Sequence, residues 1–218
     1  RLSTGAHSIG GSAVAACDVI TGAVVLATCN RFELYLDVDA PLDGTGVQHA
    51  TEHVARMVAE ASGVEVAEAL ASFRTRAGTE VAEHLFAVAS GLDSMVVGEQ
   101  QILGQIRNAY LSADANDSAG RVLHELAQQA LRVGKRVHTE TGIDRAGASV
   151  VSVALHRAKS LLTDPATGAH RLRRAVVVGA GAMGGLATAQ LAREGVTEMV
   201  VVNRTVDKAD HLAGNIAA

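Results

Sequence analysis

Tryptophan is absent from this 218-residue chain, and three Phe and two Tyr are its only aromatic residues. So few rings leave little material for stacking on unpaired bases. Cysteine is almost as scarce, and Cys17 and Cys29 alone make neither a disulfide framework nor a Cys-rich zinc site. No metal centre is expected. Excess positive charge is lacking as well. A net charge of −4 argues against a protein that coats nucleic acid, while leaving room for a local basic patch. No apolar run reaches membrane-spanning length and no signal peptide is visible. The expectation is a cytoplasmic protein in a reducing setting with no membrane partner. What is present is 48% hydrophobic and 19% charged residues, a globular balance with length for one large or two modest domains. The chain starts at Arg1 without Met and stops within a helical pattern that follows a strand. We expect it to be part of a longer protein.

Residues 1–22 are small, Gly/Ser-rich and uninformative. Residues 23–28 read as a buried strand, interrupted at Cys29, and residues 32–38 as a second strand. A thiol at a strand end beside Arg31 is a candidate nucleophile, because a nearby cation favours the thiolate. A lone cysteine is ordinarily a small buried hydrophobe, and that reading stands beside the first. Residues 40–46 form a turn-rich loop. Helical spacing follows over residues 49–62, ended by Gly63, and from Thr79 as a cap through Gly91. Residues 91–105 interleave glycines with Asp93, Ser94, Glu99, Gln100, Gln101 and Gln105, a pattern compatible with a surface loop or a binding wall. Residues 99–110 read as a helix, and residues 118–140 as an amphipathic one. The polar face of the latter carries Arg121, Arg132, Lys135 and Arg136, as a solvated face or a phosphate-touching patch. Residues 142–147 are turn-rich and mark the domain boundary, with a helix over 148–162 beyond them.

Residues 175–178 read as a buried parallel-type strand. They run into Gly179-Ala180-Gly181-Ala182-Met183-Gly184, then a helix, then a second strand over 199–202. This is G-x-G-x-x-G in its strand-turn-helix-strand frame, where glycines let the backbone approach a pyrophosphate at the positive end of a helix. Where NAD binders usually carry an acidic residue for the ribose 2′-hydroxyl, this chain has Asn203-Arg204-Thr205. An arginine there can pair with a 2′-phosphate, which points to NADP.

Thr28-Cys29-Asn30-Arg31-Phe32-Glu33-Leu34-Tyr35, His84-Leu85-Phe86 running through Ser90-Gly91-Leu92-Asp93-Ser94, and Gly98-Glu99-Gln100-Gln101-Ile102-Leu103-Gly104-Gln105 together resemble the glutamyl-tRNA reductase family. Gly179 to Gly184 and Asn203 to Thr205 extend the resemblance, in the family's order. It implies an α/β protein: an N-terminal α+β catalytic domain (1–142) that binds glutamyl-tRNA, then an incomplete Rossmann-type NADP-binding domain (143–218). It also implies the first step of tetrapyrrole synthesis from glutamate. Cys29 attacks the glutamyl ester of glutamyl-tRNA(Glu), and the thioester takes a hydride from NADPH to release glutamate-1-semialdehyde. By the same resemblance Thr28, Asn30 and Arg31 belong to the glutamyl site, and Ser94, Glu99, Gln100, Gln101 and Gln105 match substrate-contacting positions. His84 matches a residue important for activity and would act as acid/base or orient the thiolate if it faces Cys29. Cys17 matches no family motif and is read as packing. A strand before Arg1 and a C-terminal dimerisation domain are expected in the full-length protein, with a homodimer and a hand-over to glutamate-1-semialdehyde aminomutase. Two other readings are a generic NADP-dependent dehydrogenase of a small carbonyl substrate and a non-catalytic tRNA- or partner-binding relative.

Overall fold

Alternating and apolar residues in the first 40 positions build the element on which the larger part of the protein is laid out. The computed structural model describes residues 2–41, 43–99, 101–143, 150–163, 167 and 172–215, with backbone alone for residues 2–8. The chain divides into two compact units, Arg1–Ala146 and Gly147–Ala218. The divide lies outside the described residues.

In the first unit, β1 (Ile20–Ala27) and β2 (Phe32–Val38) pair antiparallel, with Val24 opposite Tyr35 and Leu26 opposite Glu33. Side chains alternate across a strand, so the two faces of this hairpin meet different partners. Val24, Leu26 and Tyr35 pack with residues of α4 (Thr79–Ala89), α5 (Gln101–Ala115) and α6 (Arg121–Glu140). Phe32, Leu34, Leu36 and Val38 pack instead with α1 (Leu2–Ala16) and α2 (Thr45–Ser62). A register shift between Ile20 and Gly22 turns Ile20 to this second cluster. A short α3 (Val66–Ser72) lies against α2 through Ala55, Ala59 and Ala69. Among the described residues β1 is the only strand paired with β2, whose other edge is unpaired.

Several expectations are revised. The segment read as uninformative is the fifteen-residue helix α1. Its Gly10 lies against β1, where a Cβ would come within 3.3 Å of Val25, so small residues there serve close packing. Thr79 is the first helical residue of α4 and not its cap; Gly78 stands at the cap position. Gly63 ends α2 with a left-handed φ of 76°, as expected.

The second unit is a parallel β-α-β arrangement with a helix at each end. It runs α7 (Val150–Leu162), β3 (Arg174–Val178), α8 (Ala182–Arg193), β4 (Glu198–Val202) and α9 (Val206–Gly214). Val177 packs with Leu191 and Val196, and Lys159 on α7 pairs with Glu194 at 2.8 Å. The strand read as buried is covered on one face only, because Val176 and Val178 are 66% and 82% exposed. A two-stranded sheet with helices on one side cannot cover both faces. The molecule is thus an α/β protein: an α+β unit followed by a partial Rossmann-type unit. No described helix is long and apolar enough to cross a membrane.

Candidate functional site

Cys29 sits in the four-residue connection between β1 and β2 and is exposed. The turn is held by its own backbone and Thr28. The Thr28 N–H donates to the Arg31 carbonyl at 2.9 Å, and the Arg31 N–H donates to Thr28 Oγ1 at 3.2 Å. The Thr28 hydroxyl donates to Asn30 Oδ1 at 3.1 Å. Among the described residues the Cys29 thiol has one hydrogen-bond partner, Asn30 Oδ1 at 3.9 Å. A small polar turn therefore presents a thiol to solvent at the end of a strand whose residues Ala23 to Leu26 are buried.

Behind the turn lies a charge cluster that only the folded chain assembles. Glu33 and Tyr35 alternate along one face of β2, and Arg31 precedes them at the end of the turn, facing α4 and the loop after it. Glu33 is the hub. It accepts from Arg31 Nη1 at 2.8 Å, from Tyr35 Oη at 2.6 Å, and meets His84 Nε2 at 3.0 Å. Arg31 and Glu33 side chains are 10% and 20% exposed, and His84 is 16% exposed, so the cluster is shielded and its charges must be paired. Burial, then the Glu33 charge and hydrogen bond, push the Tyr35 hydroxyl well above the ordinary tyrosine range. Tyr35 accordingly stays a neutral donor to Glu33.

Arg31 also reaches the loop of residues 91–98. Its Nη2 donates to the Asp93 backbone carbonyl, and Nη1 lies 3.5 Å from Asp93 Oδ2. That loop closes on itself, with the Gly98 N–H on the Gly91 carbonyl at 3.0 Å and both glycines at positive φ. Ser94 follows Asp93 in this loop. A cleft of about 850 Å³ is lined by Arg31, Glu33, Tyr35, His84 and Asp93, and by Phe73, Arg74 and Arg76 of the α3–α4 connection. Both faces of β2 contribute to its wall, so it follows that strand's unpaired edge.

The remaining site residues fall into two sets. Gln101 opens α5 and Gln105 follows one turn later, while Glu99 stands just before the helix; none of the three hydrogen-bonds to the cysteine turn. Gln100 lies outside the described residues. The Arg31 guanidinium is committed to Glu33 and Asp93, and His84 to Glu33, with no hydrogen bond from either to the thiol. Glu33 and Asp93 had no role assigned from sequence. The available signal was the alternation Arg31, Glu33, Tyr35 leading into a strand whose other face is Phe32, Leu34, Leu36.

The second unit carries a turn suited to a dinucleotide. Gly179 has a φ of 106° and donates its N–H to the Val202 carbonyl at 2.7 Å, locking the turn to the end of β4. A Cβ on Gly184 would strike the Gly179 carbonyl, so helix and strand ends approach as closely as backbone allows. Around Gly179 and Gly181 a Cβ would meet nothing within 4 Å, leaving the turn and the start of α8 (Ala182, Met183) open to an anion. Asn203 ties the turn down from β4: its Oδ1 accepts from the Ala180 N–H at 3.2 Å and its amide donates to the Thr205 carbonyl at 2.9 Å. Arg204 is exposed beside it. The donor set fits a pyrophosphate and, at Arg204, a further phosphate.

Fold and site define a class: an α+β unit with a solvent-facing cysteine beside a paired arginine, followed by a dinucleotide-type Rossmann unit. The family description "Glutamyl-tRNAGlu reductase, N-terminal domain" matches residues 4–141, and "Shikimate / quinate 5-dehydrogenase" matches residues 162–218. The solved glutamyl-tRNA reductase from Methanopyrus kandleri is 31% identical, with a TM-score of 0.57 over 97% of this chain. This chain spans 47% of that one. The chain belongs to the glutamyl-tRNA reductase family.

Proposed function

We propose that this protein, at full length, reduces glutamyl-tRNA(Glu) to glutamate-1-semialdehyde through a thioester on Cys29. The observation that carries the reading is the exposed Cys29 turn anchored to the Arg31–Glu33–His84 cluster in a chain of this family. The Cys29 thiolate adds to the ester carbonyl and the tRNA 3′ ribose oxygen leaves with a proton. The resulting thioester carbonyl is less resonance-stabilised than the ester and accepts hydride readily. Collapse of the adduct expels the thiolate and frees the aldehyde. When bound at the Gly179–Gly184 turn, NADPH supplies that hydride, and Arg204 selects it over NADH through the 2′-phosphate.

Arg31 takes the substrate's γ-carboxylate, with Thr28, Asn30 and Ser94 around the reacting group. Glu99, Gln100, Gln101 and Gln105 contact the substrate further out. His84, held by Glu33, serves as acid/base for the leaving oxygen or the aldehyde. The family resemblance implies a further strand, and an unpaired strand edge such as that of β2 is where one would add. We therefore assign the glutamyl group to the Arg31–Asp93 end of the cleft. A cytoplasmic homodimer that passes its product to the following aminomutase completes the reading, supported by the family alone.

The test is to incubate the full-length protein with labelled glutamyl-tRNA, with and without NADPH. Semialdehyde that requires both NADPH and Cys29 is expected. Normal-rate semialdehyde from Cys29→Ser would overturn the thioester route, and reduction of small carbonyls alone would replace it with a generic dehydrogenase.

A further inference from the structure

Arg31 is held by two carboxylates that differ in how firmly they are placed. Glu33 is engaged by three donors on Arg31, Tyr35 and His84 and lies mostly out of solvent. Asp93 contributes a carboxylate that is 59% exposed and stands 3.5 Å from Arg31, with no side-chain hydrogen bond among the described residues. Its backbone carbonyl, not its side chain, carries the Arg31 Nη2 bond that anchors the loop. The Asp93 side chain can therefore swing while the loop stays in place.

The charges point the same way. One guanidinium faces two carboxylates, and Arg74 and Arg76 line the same cleft. A glutamyl ester brings both signs: a γ-carboxylate and, about 5 Å away along three carbons, an α-ammonium.

Resting on the glutamyl-tRNA reading above, we propose that Asp93 is a specificity-determining residue that pairs with the substrate's α-ammonium while Arg31 takes the γ-carboxylate. In the free protein the Asp93 carboxylate occupies the open side of Arg31. On binding, the γ-carboxylate displaces it, and the released Asp93 side chain turns to the ammonium. One ion pair within the protein is exchanged for two with the substrate, and Glu33 keeps Arg31 aimed throughout. The pair would thus select an α-amino acid with a side-chain carboxylate by both of its charges.

The experiment compares glutamyl-tRNA with Nα-acetyl-glutamyl-tRNA, in which the ammonium is removed and the γ-carboxylate kept. The readout is kcat/KM for aldehyde formation by the full-length protein. Wild type should prefer the free amine. Asp93→Asn, which retains the backbone carbonyl that anchors the loop, should shrink that preference by about tenfold to a hundredfold, the scale of one charge-assisted hydrogen bond. The loss should appear in KM for the free-amine substrate more than in kcat, and Asp93→Glu should restore part of it. An Asp93→Asn protein with the wild-type preference ratio would overturn the assignment of Asp93 alone. No aldehyde from wild type and glutamyl-tRNA would overturn the underlying function and this inference together.

Discussion

The cysteine turn and the glycine turn are both short connections at strand ends, yet they are built in opposite ways. The glycine turn is made by backbone over a few residues: a positive φ at Gly179, a close approach at Gly184, and one side chain, Asn203, from the next strand. The cysteine turn is closed by its own backbone and Thr28, and its last residue, Arg31, is held by partners brought from far apart. His84 meets Glu33 across 51 positions, and Arg31 reaches the Asp93 carbonyl across 62. One site depends on space that only glycine leaves free, the other on pairing charges in a shielded place.

Steric damage should therefore fall on the first and electrostatic damage on the second. The largest effect is expected from Gly184→Ala, since the added Cβ meets a backbone carbonyl that cannot rotate away. A loss of about 3 kcal/mol in the second unit is expected, read by calorimetry, together with loss of dinucleotide binding read by titration. A Gly184→Ala protein with wild-type stability and cofactor affinity would show that the close approach is not needed. Glu33→Gln should cost about 2 kcal/mol, measured by urea unfolding, because Arg31 loses its ionised partner while Asp93 stays nearby. Its activity should fall much further than its stability, and equal falls would reduce Glu33 to a packing residue.

Arg204→Asp tests whether the glycine site also uses charge. It should lower the NADP-to-NAD affinity ratio by about tenfold or more, the scale of one charge-assisted contact; an unchanged ratio sinks the 2′-phosphate assignment. The smallest effect concerns Tyr35. Its folded pKa is raised, so its contribution to stability is complete below the unfolded value of about 10 and is lost as pH rises above it. Absorbance at 295 nm should show Tyr35 ionising only together with unfolding, a signal isolated by comparison with Tyr35→Phe. Titration of Tyr35 in the folded protein would contradict the Glu33 hydrogen bond.

What could be read in advance follows the same division. Gly179 to Gly184 lies within one β-α-β unit, so local pattern displayed it, and the α/β class followed. Glu33 was visible as a residue but not as a hub, because its partners Arg31, Tyr35 and His84 are set by strand register and by the packing of α4. The loop of residues 91–98 looked polar for the same reason that surface loops do; only its closure between Gly91 and Gly98 and the Arg31 bond give it a place. Helix α1 escaped notice because glycine and serine lower helix propensity, while its packing on β1 requires small residues such as Gly10. The one-sided burial of β3 was not legible either, since a Val run fits a strand covered on one face or two.

The central claim is that Cys29 holds the glutamyl group as a thioester, and intact-protein mass spectrometry tests it most directly. Full-length protein mixed with glutamyl-tRNA in the absence of NADPH should gain the mass of one glutamyl group, on the Cys29 peptide. That mass should be removed by hydroxylamine and lost when NADPH is added. An unmodified Cys29, or the same adduct in the Cys29→Ser protein, would contradict the account.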